Sequence, residues 1–181
     1  MVSFPSAERT EAASASMAIS TPFTTAKLFK LVADIPLITG VDLVASPSIM
    51  ADRETVKEGL KKYDLEAVSV AADKFTQARW KQGSFSSSDA QVRRQAMEHA
   101  EEVVGFCKEL GTDLVTFWLG QDGYDYLFQA DYITERQYLI DCLRTLCKKY
   151  PEMTFALEYK AKEPRNHSYV STVGMTILIC E

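Results

Sequence analysis

The sequence has few of the side chains that build a soft metal site: two histidines, His99 and His167, and four scattered cysteines among 181 residues. No C-x-x-C pair occurs, and no Cys/His spacing fits zinc. No apolar run comes near the ~18–20 residues that a bilayer span needs, so a membrane is not an expected partner. The first 22 residues are rich in Ser and Ala but hold no continuous apolar block, which argues against a secretory signal. They are also poor in arginine and contain Glu, which argues against an organellar transit peptide. No phosphate loop of the form G-x-x-x-x-G-K-S/T is present, which counts against nucleotide chemistry. Positive charge is not in excess: 20 Lys and Arg against 25 Asp and Glu leave a net charge of −5. A nucleic-acid backbone is therefore a poor match. Cys107, Cys142 and Cys147 fall in helical patterns on or near apolar faces. They read as buried thiols in a reducing, cytoplasmic compartment.

What remains is ordinary for a folded chain: 46% hydrophobic and 25% charged residues, and enough length for one domain with a real core. Residues 1–23 show low hydrophobicity and little periodicity, and are expected to be poorly packed. From residue 24 onward the pattern alternates. Leu28, Leu31, Val32 and Ile35 follow helical spacing, and Val41 to Ala45 is a short strand before a Ser-Pro-Ser turn. A helix carrying Val56, Leu60 and Tyr63 leads to a second strand, Leu65 to Ala71.

Residues 72–87 form a long polar connection containing Phe75, Trp80 and Phe85. Such length is unusual between strand and helix, and it suggests a lid or binding loop. Ser88-Asp-Ala-Gln91 matches a capping box. Behind it Val92, Ala96, Ala100, Val103, Cys107 and Leu110 make the clearest amphipathic stripe in the chain, ended by Gly111. His99 lies beside that stripe and is expected to be partly exposed. The third strand, Asp113 to Leu119, breaks into Gly120-Gln-Asp-Gly-Tyr-Asp125. A second capping box, Thr134 to Gln137, opens the next helix, which Pro151 stops. Ser171 could cap a last helix.

The fourth strand, Met153 to Leu157, switches abruptly to Glu158-Tyr-Lys160, and Pro164 ends regular pairing. Strand alternation puts Glu158 and Lys160 on one face. A carboxylate there can hold a hard cation, and an ammonium there can stabilise developing negative charge. A solvated surface pair is the plain alternative. Asp122 and Asp125 could be acid/base groups, although an Asp in a Gly-containing loop is more often a turn residue. The order of strands and helices implies an α/β fold with a parallel sheet and right-handed crossovers.

Two segments carry a resemblance: Phe117-Trp-Leu-Gly-Gln-Asp-Gly-Tyr-Asp-Tyr126 and Phe155-Ala-Leu-Glu-Tyr-Lys-Ala-Lys-Glu-Pro-Arg-Asn-His167. Together they resemble the xylose isomerase-like TIM-barrel superfamily, in the branch of sugar isomerases similar to L-rhamnose isomerase. The resemblance implies a (β/α)8 barrel, a divalent metal (Mn²⁺, Mg²⁺ or Co²⁺) and aldose–ketose isomerisation of a small sugar. It implies that Glu158 is a metal ligand, that the catalytic Lys160 lies near the sugar oxygens, and that Trp118 is a wall of the sugar pocket. Gln121, Asp122 and His167 fall in the surrounding substrate-binding loops, with Glu163 and Arg165 beside them.

The match is partial. A barrel needs eight strands, and four are legible here with five helices. One carboxylate is far short of the roughly six oxygens such a cation takes. The expectation is a partial barrel, inactive as this chain alone, whose open sheet edges invite a second copy or a complementary half-barrel. Two other readings stay open: a non-catalytic half-barrel module, and an open sheet of flavodoxin-like strand order.

Overall fold

The computed structural model describes residues 25–181; the segment 1–23, read above as poorly packed, lies outside the described residues. Helix α1 spans Thr25–Ala33, strand β1 Gly40–Val44, α2 Pro47–Ala51, α3 Arg53–Tyr63 and β2 Glu66–Ala71. A 3-10 turn at Ala78–Trp80 precedes α4, Ala90–Leu110, and then come β3, Leu114–Trp118, and β4, Gly123–Tyr124. The chain continues through α5 (Tyr132–Lys149), β5 (Thr154–Glu158), β6 (His167–Ser168) and α6 (Val173–Cys180).

Strands β1, β2, β3 and β5 form one parallel sheet in chain order, and β4 pairs with β6 in a separate antiparallel ribbon. Sequential order with right-handed crossovers puts every connecting helix on the same face. That order rules out the flavodoxin-like arrangement, which would place the second strand outside the first. Among the described residues the architecture is α/β, a sheet of four parallel strands with six helices.

Burial follows the alternation. Val70, Val115 and Phe117 point to the helices and are fully buried, with Phe155 and Leu157 partly buried in the same layer. Ala96, Ala100, Val103 and Cys107 of α4 meet them as the stripe predicts. The other face carries Asp42, Ser69, Thr116 and, by register, Ala156. It is polar: the Ser69 hydroxyl donates to Asp42 and lies 3.4 Å from the Thr116 hydroxyl.

Several local expectations are corrected. The Ser-Pro-Ser turn is the start of α2, with Ser46 as its cap. Asp89, not Ser88, caps α4, and Asp131, not Thr134, caps α5, because each carboxylate reaches an amide of the first turn. Thr172, not Ser171, caps α6. Of the three thiols read as buried, Cys107 is buried, Cys142 is partly so and Cys147 is exposed. Burial pushes the Cys107 thiol up to about 12.

The connection 72–87 is not a lid. Trp80 and Phe85 are fully enclosed, and Lys74 is enclosed with them. The Trp80 indole donates to the Asp73 carbonyl at 2.9 Å. Asp73 closes a turn by accepting from the amides of Phe75 and Thr76 at 3.3 and 2.9 Å. Burial raises its carboxyl, but the bonds from Thr76 and Phe75 outweigh burial and leave it below the ordinary value. His99 is buried rather than partly exposed, because its Nδ1 lies 3.0 Å from the Lys74 ammonium.

Candidate functional site

The C-terminal ends of β2, β3 and β5 converge on the indole of Trp118. Residue 118 pairs in register with Glu158, so strand pleating puts both side chains on the face without helices. Phe75, from the segment after β2, covers one side of the indole at 4.5 Å between ring centroids. Lys160 Nζ stands 5.2 Å from the indole centroid and 3.3 Å from Glu163. Its backbone amide donates to the Val170 carbonyl at 3.0 Å, which ties the strand end to the later loop.

The indole has little freedom. A Cβ on Gly120 would lie 2.7 Å from the Trp118 ring, so only glycine allows the chain to turn that tightly beneath it. The Trp118 Nε1 atom is buried and has no hydrogen-bond partner among the described residues. An unmatched donor in that place is costly.

Glu158, Lys160 and Trp118 therefore come together. Gln121 is close by, its amide donating to the Phe75 carbonyl at 3.3 Å. Two residues from the same expected set do not join them. Asp122 is fully buried beneath the mouth, where it cannot reach a sugar. Its carboxylate accepts from the Ser84 amide at 3.0 Å, the Ser84 hydroxyl at 2.6 Å and the Ser86 amide at 2.7 Å. Burial raises this carboxyl, and the bonds from Ser84 and Ser86 oppose the rise. Asp122 is thus an internal tie holding residues 83–87 to the loop after β3. His167 lies in β6, where its ring stacks on Tyr124 at 4.8 Å. Arg165 is a brace: it pairs with Asp125 at 2.8 Å and donates to the carbonyls of Gln121 and Lys81.

Sequence reasoning missed Phe75 as a wall and Ser84 and Ser86 as the partners of Asp122. The hint for the serines was their spacing in Gly83-Ser-Phe-Ser86, which aims two serines at one acceptor.

The chemistry of this mouth is the Glu158 carboxylate, the Lys160 ammonium with Glu163 beside it, and a flat apolar wall. Among the described residues no group of three His, Cys, Asp or Glu side chains comes together. Glu158 has the right chemistry for one position on a hard divalent cation, but these residues do not form a coordination shell by themselves. Among the described residues no helix is long and apolar enough to cross a membrane.

Known proteins share this architecture. The xylose isomerase of Bacillus cereus is 28% identical over 126 residues, covering 67% of this chain and 28% of that protein. D-psicose 3-epimerase of Clostridium cellulolyticum, solved with D-tagatose, superposes with a TM-score of 0.64 at 17% identity, over 87% of this chain and 55% of that one. A xylose isomerase-like TIM-barrel protein of Mycobacterium smegmatis, solved with magnesium, gives 0.59 at 13% identity, over 88% and 53%. The chain thus spans about half the length of these solved barrels and under a third of the curated relative. A family model for the xylose isomerase-like TIM barrel matches residues 30–178, and the chain belongs to that family.

Proposed function

We propose that this chain carries one side of the active site of a metal-dependent aldose–ketose isomerase, and that it is inactive until other strands face it. The observation that carries this reading is the in-register pair of Trp118 and Glu158 with Lys160 over the indole. In this reading the indole packs on the C–H face of the sugar. Lys160 lies beside the oxygen on which negative charge develops. Glu158 lends one carboxylate to a divalent cation, Mn²⁺, Mg²⁺ or Co²⁺. When bound, such a cation would fix and polarise two adjacent sugar oxygens. Gln121 orders Phe75 against the indole, and Asp122 holds the loop beneath. Among the described residues the sheet ends at β1 on one side and β5 on the other, and edges of this kind favour completion by further strands.

The test is an isomerisation assay with manganese and a set of aldose–ketose pairs. The chain alone should give no turnover, and clear turnover by it would overturn the need for facing strands. In an assembly that does turn over, Glu158→Gln should weaken manganese binding measured by calorimetry. Unchanged affinity would remove Glu158 from the ligand set.

A second reading is a non-catalytic half-barrel that assembles with itself or a complementary chain. One observation favours it: a largely apolar cleft of about 350 Å³ lies between α5, β5 and the end of α6, lined by Ile140, Leu143, Phe155, Leu157 and Ile179 with Arg144 and Glu181. Light scattering separates the readings when combined with the assay, since a stable inactive dimer supports the module.

A further inference from the structure

We propose that the cleft between the β4–β6 ribbon and the N-terminal ends of α5 and α6 binds a compact oxyanion, a phosphate or carboxylate group carried by a sugar-sized molecule. The cleft measures about 430 Å³, and its lining includes Arg136, His167, Asn166, Tyr124, Tyr132 and Tyr169. No carboxylate is in that lining.

Arg136 makes the case. Its Nε atom is shut away from solvent and has no hydrogen-bond partner among the described residues. A guanidinium N–H left unmatched is costly, and an oxyanion in the cleft would be met by the terminal N–H groups of the same guanidinium. The acids nearest the cleft are already committed. Glu135 accepts the Tyr169 hydroxyl at 2.8 Å. Asp125 accepts from Arg165 at 2.8 Å and from the Asn166 amide at 3.1 Å.

The walls fit the rest of the ligand. Tyr124 stacks between His167 at 4.8 Å and Tyr132 at 5.5 Å, which gives flat apolar faces beside the cation. Such faces suit the C–H side of a sugar ring or chain. Ala161, the neighbour of Lys160, is part of the same lining. The cleft therefore begins one residue beyond the lysine at the strand end.

Calorimetric titration of the protein with inorganic phosphate, acetate, a hexose 6-phosphate and the free hexose tests this. Saturable binding of phosphate or acetate is expected, weakened about tenfold or more by Arg136→Gln and less by Arg136→Lys. His167→Asn, on the exposed ribbon, should weaken it too while leaving the circular dichroism spectrum unchanged. A hexose phosphate that binds more tightly than phosphate identifies a sugar-borne anion, whereas acetate binding more tightly than phosphate identifies a carboxylate. No saturable binding by either anion, or equal binding by Arg136→Gln, overturns the proposal. None of these readouts involves isomerisation, so their failure is distinct from failure of the catalytic reading.

Discussion

The Lys74 ammonium lies 3.0 Å from Nδ1 of His99, and both side chains are buried between β2 and α4. The rings of Trp80 and Phe85 stand 4.9 and 5.2 Å from the same ammonium. Burial pushes Lys74 down to about 7 and His99 down to about 4, the latter also through repulsion from Lys74.

Both groups then bind fewer protons when folded than when unfolded, so stability should rise with pH. The His99 window runs from about pH 4 to its model value of 6.5, and the Lys74 window from about 7 to its model value of 10.5. The limiting slope for one group is about 1.4 kcal/mol per pH unit. Urea unfolding at pH 5, 7 and 9 should give increasing stability, and Lys74→Met should flatten the rise above pH 7. A flat wild-type profile between pH 7 and 9 would contradict a strained lysine.

Removing the Asp122 tie should be expensive. Asp122→Ala leaves two buried amides and a hydroxyl without their acceptor, from Ser84 and Ser86. The expected loss is about 3 kcal/mol or more. Urea melts measure it, and a loss below about 1 kcal/mol would show that the loop re-pairs easily.

Gly120→Ala should move the indole without unfolding the sheet. The added carbon would meet the Trp118 ring at 2.7 Å, while Phe75 blocks the other side. A cost of about 1–3 kcal/mol is expected. Near-ultraviolet circular dichroism should change, and an unchanged spectrum would mean that the backbone yields instead.

Lys160→Met separates chemistry from folding. The side chain is exposed and its ion pair is with the neighbouring, still more exposed Glu163, so the thermal midpoint should stay within a degree or so. In an active assembly kcat should fall by about 10²–10³ with KM little changed. A rise in KM alone would make Lys160 a binding group.

Where a pattern was local, it could be read from the chain. The α4 stripe is a repeat of about 3.6 within a helix of 21 residues, and the polar switch at Glu158 is written in a few. What escaped depends on partners distant in sequence. His99 looked peripheral because Lys74, 25 residues earlier, is what draws it inward. Residues 72–87 looked like a lid because nothing local says that Trp80 and Phe85 fold back under the sheet ends. Asp122 resembled a turn residue or a sugar ligand because Ser84 and Ser86 lie 38 and 36 positions away. The β4–β6 ribbon has two residues per strand, too few for any periodicity, and is held by the Arg165–Asp125 pair and the Tyr124–His167 stack. The caps of α4 and α5 slipped because Asp89 and Asp131 each reach an amide of the first turn.

Because the four strands lie side by side in chain order, each strand pairs with the one that precedes it in the sheet. A further strand–helix repeat would extend the sheet beside β5 by the same rule of neighbours. That makes the chain a natural building block for recombining barrels, with Trp118 and Glu158 facing the hollow that any added arc would enclose.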